Sequence, residues 1–293
     1  MTEIAVAPRE RMGFFTDTTT CIGCKACEVA CKQWNDLPAD HTAFRRNASY
    51  DHTGGLGAAT WRHVRFVETT STSTPIDAAL NQQADALDLV GMAESPQLDK
   101  WIFMSDVCKH CTHAGCLDAC PTGALIRTEF ETVILQPDVC NGCGYCIPSC
   151  PFGVVARDHD DGRAAKCTLC YDRLEDGLEP ACAKACPTDS IQFGPYDELQ
   201  EIAAKRVVAL QYRGVDGAYV YGAGEDDEHD LAGGLGAFFL LTEPPEVYGL
   251  PHRAESPIQE NVVPATLAAM GAGLLAAAGV AAAFVSAARK AGR

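Results

Sequence analysis

A chain of 293 residues with 47% hydrophobic side chains can form one to three folded units with a sizeable core. Its net charge of −16 excludes a nucleic-acid surface, which needs clustered basic residues, and suits a protein docked on other protein subunits. Sixteen cysteines are the outlying feature; disulfide frameworks belong mostly to short secreted domains, and residues 1–15, with Glu3, Arg9, Glu10 and Arg11 and no sustained apolar core, are not expected to form a secretory signal.

In chain order, the first cysteine group is Cys21, Cys24, Cys27 and Cys31. A long insertion follows over 32–100, in which 60–67 reads as a strand and 69–75 as a Ser/Thr loop. Within it, Arg45 and Arg46 precede no apolar run and are not expected to be an export signal, and the glycines Gly54, Gly55 and Gly57 read as a loop. Group two is Cys108, Cys111, Cys116 and Cys120. Segments 124–128 and 132–136 read as two short strands joined by a turn near Phe130. Group three is Cys140, Cys143, Cys146 and Cys150, and group four is Cys167, Cys170, Cys182 and Cys186. Pro121, Pro151 and Pro187 follow the last cysteine of groups two, three and four, so the chain is an internal repeat.

After group four, Asp197 is expected to cap a helix ending before Gly214, with Leu199, Ile202, Ala203, Val207 and Leu210 on one face. The acidic, glycine-rich 222–236 reads as part of an extended arm. No charged residue occurs over 262–288, enough for a helix of roughly 40 Å against a hydrocarbon core of roughly 30 Å. Ala265, Ala269, Gly273, Ala277 and Ala281 form a small-residue stripe that lets another membrane helix approach closely. Arg289, Lys290 and Arg293 follow, so the carboxyl terminus is expected in the cytoplasm and the bulk of the protein on the outer, periplasmic face.

Three cysteines spaced by two residues let one loop wrap three corners of a four-iron cube, while the fourth, followed by proline, turns to a second cube. Group two widens one gap and group four replaces one with a longer loop. This exchange predicts four [4Fe–4S] clusters: one on Cys108, Cys111, Cys116 and Cys150, and its neighbour on Cys120, Cys140, Cys143 and Cys146. A third falls on Cys21, Cys24, Cys27 and Cys186, and a fourth on Cys31, Cys167, Cys170 and Cys182. A zinc ribbon uses two C-x-x-C knuckles per ion and leaves the third cysteine of each run without a role.

The predicted fold is α+β: two nested ferredoxin-like dicluster modules, with loop insertions and a single C-terminal transmembrane helix. Residues 1–100 give the first half of the outer module with its insertion, 101–156 the inner module, and 157–213 the second outer half and its helix. The arm occupies 214–261, the membrane helix 262–288 and a basic tail 289–293. Gly23, Gly142 and Gly144 are placed to permit tight turns between ligands. Lys166 is either a cation for a reduced cluster or a surface lysine. His110 and His113 are expected not to be ligands, and Trp34 and Trp101 to be core residues. No nucleophile motif, phosphate loop or cofactor fingerprint points to catalysis, so the reaction belongs to a partner.

The chain resembles the iron–sulfur (beta) subunits of membrane-bound molybdenum or tungsten oxidoreductases, specifically the respiratory formate dehydrogenase type. The resemblance rests on segment 21–31 with Trp34 and Asn35, on 140–146 with Cys150, Pro151 and Phe152, and on 166–173 with Glu179, Pro180, Ala181 and Cys182. It implies a molybdopterin-containing catalytic alpha subunit that oxidises formate, and a membrane cytochrome b gamma subunit that passes electrons to quinone. In such complexes the catalytic partner carries the twin-arginine export signal, and the folded assembly is exported together. The alternative within the same chemistry is the relay of a dimethyl sulfoxide, polysulfide or thiosulfate reductase. Nitrate reductase types replace one cysteine with tryptophan, whereas all sixteen are present here. The C-terminal helix and the 233–239 arm favour the formate type.

Overall fold

The computed structural model describes residues 10–39, 51–70, 98–224 and 231–291. Its elements in chain order are β1 (Met12–Asp17), α1 (Ala26–Trp34), β2 (Arg62–Thr70), β3 (Leu98–Val107), α2 (Gly115–Asp118), β4 (Leu125–Arg127), β5 (Val133–Leu135), β6 (Ala156–Arg157) and β7 (Ala164–Ala165). They continue with α3 (Tyr171–Glu175), α4 (Ala181–Lys184), β8 (Ile191–Pro195), α5 (Tyr196–Tyr212), β9 (Tyr219–Tyr221), β10 (Ala237–Leu241), a 3-10 turn (Pro245–Tyr248) and α6 (Pro257–Ala291).

A four-stranded sheet in the order β8, β1, β10, β9 closes the nested outer module. β1 runs antiparallel to β8, bringing the start of group one beside the end of group four, and parallel to β10. The extended arm expected over 214–261 is therefore corrected: β9 and β10 belong to this sheet. The five residues of β10 are all fully buried, as a central strand covered on both faces must be, so its apolar run lacks the alternation of a half-exposed strand. Segment 225–230 of the expected arm lies outside the described residues.

The helix expected after group four is α5, with Leu199, Ala203 and Leu210 buried against the sheet. Two details are corrected. Asp197 sits in the first turn, where its charge favours the helix dipole, while Pro195 occupies the cap position and makes no side-chain cap bond. Ile202 is exposed, because the buried stripe is narrower than the apolar pattern.

The strands expected at 124–128 and 132–136 are β4 and β5, paired antiparallel. The strand expected at 60–67 is β2, which extends through Thr69 and Thr70 and pairs along its length with β3. Residues 71–75 of the expected Ser/Thr loop lie outside the described residues, as do Arg45 and Arg46. This hairpin docks the insertion on the group-one loop. Glu28 on α1 accepts the backbone N–H of Val64, and Lys25 Nζ lies 3.3 Å from Glu28 Oε1.

His63 is fully buried between these carboxylates, with Nε2 3.1 Å from Asp51 Oδ2 and Nδ1 3.6 Å from Glu28 Oε1. Burial holds its pKa below the ordinary 6.5 against the pull of Glu28 and Asp51. The unfolded chain therefore takes up this proton first as the pH falls. The stability contributed by neutral His63 is present above pH 6.5 and lost below it. His63→Gln is expected to flatten the loss of thermal stability between pH 7.5 and pH 5.5, measured by melting of the loaded complex; an unaltered pH slope would contradict this.

The last element, α6, leaves the fold beside α2, where the Ser256 hydroxyl lies 3.3 Å from Asp118 Oδ2. Its stretch Asn261–Arg289 is long and apolar enough to cross a membrane, and none of its most apolar window is buried in the protein. That exposure is opposite to the core helix of a soluble domain.

Candidate iron–sulfur sites

All four cysteine loops make the same backbone turn. The residue just before the second cysteine has a left-handed conformation each time: Gly23 at φ 68°, His110 at 45°, Gly142 at 72° and Leu169 at 59°. Such turns point successive N–H groups into a concavity that favours negative charge. Glycine adopts the geometry freely, and at Gly23 a Cβ would also lie 2.8 Å from the Phe103 ring. At His110 and Leu169 a side chain is held there at a cost of about 1–3 kcal/mol each, which persists only where the surroundings impose it.

The turns gather cysteines from distant parts of the chain. Cys21, Cys24, Cys27 and Cys186 line one cavity together with Ser105 and Pro187. Cys108, Cys111, Cys116 and Cys150 line another with His110 and Phe152. Elsewhere Cys31 lies among Cys182, Cys170 and Cys27, and Cys146 among Cys120, Cys140 and Cys143. Neighbouring quartets also touch electrostatically: Cys27 with Cys182, Cys167 with Cys108, and Cys116 with Cys146. The sixteen thiols thus form one continuous series.

The donor chemistry fits iron–sulfur clusters. Among the described residues no group of three or more His, Cys, Asp or Glu side chains converges tightly enough to hold a single metal ion. A four-iron core takes a thiolate at each of four corners, and each of the two cavities is lined by four cysteines. In the metal-free chain, burial pushes the Cys27 and Cys31 thiols up to about 12, their cysteine neighbours adding to the effect and Arg62 opposing it. Burial likewise raises Cys116 to about 12 and Cys146 to about 11. These thiols become ligands by exchanging protons for cationic iron, so loading releases protons. Cys120 behaves differently: burial raises its pKa, but N–H groups of Leu125, Thr122 and Ala124 and the Thr122 hydroxyl outweigh it and hold the thiol below the usual range.

Several residues singled out in the sequence have clear positions. Lys166 is buried, not a surface lysine, and donates to the carbonyls of Val133 and Cys167. His110 lines the group-two cavity; its Nδ1 accepts the Val133 N–H at 3.1 Å, so the proton resides on the buried Nε2. His113 is exposed. The expectation that Trp34 and Trp101 are core residues is corrected, since they are 45% and 44% exposed. Trp34 spans two cysteine loops at the surface, donating to Asp172 Oδ2 at 2.8 Å beneath the Arg173 guanidinium. Sequence reading missed Arg62 and Ser105, both fully buried on the β2–β3 hairpin and both in contact with cysteine sulfur. An arginine in a strand reads as a solvent-facing residue, and nothing local signals otherwise.

Two family models, each described as a 4Fe-4S dicluster domain, match residues 20–124 and 99–196, together spanning all sixteen cysteines. The chain is thus a ferredoxin-like iron–sulfur protein with two dicluster domains and a C-terminal helix able to cross a membrane. It is 38% identical over 258 residues to the formate dehydrogenase-O iron–sulfur subunit of Escherichia coli, covering 87% of this chain and 75% of that one. It is 39% identical to a formate dehydrogenase iron–sulfur subunit of Haemophilus influenzae, over 80% of this chain and 67% of that one. The B subunit of the anaerobic dimethyl sulfoxide reductase of Escherichia coli is 34% identical, over 64% of this chain and 76% of that one. The protein described here is a member of the family of formate dehydrogenase iron–sulfur subunits, electron-transfer components of molybdoenzyme complexes that include a catalytic subunit.

Proposed function

We propose that this chain carries four [4Fe–4S] clusters and relays single electrons from a formate-oxidising molybdopterin subunit to a membrane cytochrome b that serves quinone, with no substrate chemistry of its own. When bound, the clusters supply reversible one-electron transfer. Cys21, Cys24, Cys27 and Cys186 hold the first, and Cys31, Cys167, Cys170 and Cys182 the second. Cys108, Cys111, Cys116 and Cys150 hold the third, and Cys120, Cys140, Cys143 and Cys146 the fourth. The observation that carries this reading is the unbroken series of neighbouring thiols, Cys27 to Cys182, Cys167 to Cys108 and Cys116 to Cys146.

Both ends of the series reach the surface. Cys24 at one end and Cys143 at the other are exposed. The inner module, which includes Cys143, is the one that α6 abuts through Asp118 and Ser256. Electrons enter at the Cys21–Cys24 end from the catalytic subunit and leave at the Cys140–Cys143 end toward the membrane partner. The helix crosses the bilayer with Arg289 on the cytoplasmic side and the body outside, and its small-residue stripe packs on the cytochrome. Formate is preferred over dimethyl sulfoxide as the partner's substrate because the formate dehydrogenase relatives align over 87% and 80% of the chain, against 64% for the dimethyl sulfoxide reductase subunit.

The test is reduction of the purified complex by its substrate. Anaerobic formate is expected to bring up the low-temperature EPR signals of reduced clusters. A co-purified catalytic subunit that turns over another substrate, with the clusters left oxidised by formate, would rule out the formate assignment.

A further inference from the structure

We propose that Arg62 is a positioning charge that stabilises the reduced state of the outer cluster pair and so raises its reduction potential. The inference rests on the cluster assignment above and concerns a residue outside every cysteine group. Arg62 is 1% exposed and stands at the start of β2, opposite Val107 on β3. Its Nη2 donates to Cys182 Sγ at 3.2 Å, and its Nη1 to the Ser105 carbonyl at 3.2 Å. The guanidinium also lies over the Phe14 ring, 4.7 Å from its centroid. Ser105, its companion on the hairpin, lies 3.2 Å from Cys27 Sγ through its hydroxyl. One side chain thus stands between a cysteine of the first site and a cysteine of the second.

The counter-charge identifies its role. A buried guanidinium without an anion is costly, and breaking a buried pair leaves the same uncompensated charge. Of the other buried cations, Lys109 has a carboxylate partner in Asp106, and Lys166 donates to the carbonyls of Val133 and Cys167. Arg62 has no carboxylate within ion-pair distance among the described residues, and its Nε has no hydrogen-bond partner. The sulfurs nearest Arg62 are those of Cys182, Cys27 and Cys167, which carry negative charge once they ligate iron. Guanidinium stays protonated throughout the working range, so its charge is fixed. An electron arriving on either site would add one negative unit there. The fixed charge offsets that unit in a low-dielectric setting, and hydrogen bonds to cluster sulfur act in the same direction.

The experiment is an EPR-monitored redox titration of the intact complex, with dithionite as reductant, together with iron analysis, on the parent, Arg62→Met and Arg62→Lys. Methionine keeps volume without charge, and lysine keeps the charge. In Arg62→Met at least one cluster signal is expected to titrate lower, with its reduced-to-oxidised ratio at fixed potential falling at least tenfold, which is 59 mV for a one-electron couple. Arg62→Lys is expected to recover more than half of that shift. Iron lost from Arg62→Met but kept in Arg62→Lys would also support the charge. Unchanged or raised midpoints in an iron-replete Arg62→Met, a Lys variant shifted as far as the Met variant, or equal iron loss from both would overturn it. Absence of cluster signals in the parent complex would instead reject the relay reading itself.

Discussion

Replacing Cys186 with serine is expected to empty the site built by the cysteines at the opposite end of the sequence. Cys186 belongs to group four by position, yet it lines one cavity with Cys21, Cys24 and Cys27. The pairing of β1 with β8 brings it there, setting Thr16 opposite Ile191. A cubane that loses one of four thiolates loses a quarter of its anchoring and becomes solvent-accessible at the open corner. Iron content is expected to fall by about four of sixteen per chain, on the assignment of four four-iron clusters. Cys21→Ser should remove the same EPR signal as Cys186→Ser, and Cys182→Ser a different one. If Cys186→Ser and Cys182→Ser abolish one common signal while that of Cys21→Ser survives in both, the interlocked assignment is wrong.

Truncation before Val262 is expected to have an equally large effect on location. The stretch Asn261–Arg289 presents Leu274, Leu275 and Phe284 at 72%, 76% and 73% exposure, with no protein surface covering them. An exposed apolar surface of this extent belongs in lipid or against a partner helix. Expressed without its partners, the full-length chain should sediment with membranes and the truncated chain should stay in the supernatant. Equal membrane fractions for the two would remove the anchor.

The sequence displayed the sites more plainly than the scaffold. Cysteine spacing is a local signal, because the proposed assignment takes three ligands of each cluster from one cysteine group, and Gly23 and Gly142 marked two of the four left-handed turns. The matching turns at His110 and Leu169 were hidden, since nothing in those side chains announces positive φ. β4 and β5 were readable from a short hairpin pattern. β10 was not, because a strand buried on both faces has no alternation, and the glycine-rich stretch before it reads as an arm. Arg62 and Ser105 were invisible for a different reason: their role arises only when β2 and β3 pair and carry them across to the cysteines of groups one and four.

The interlocked relay is tested most directly by metal and sulfide analysis of the anaerobically purified chain, combined with low-temperature EPR after reduction. About sixteen irons and sixteen acid-labile sulfides per chain are predicted, with overlapping signals from magnetically interacting reduced clusters. A colourless preparation holding zinc, with no signal on reduction, would contradict the relay.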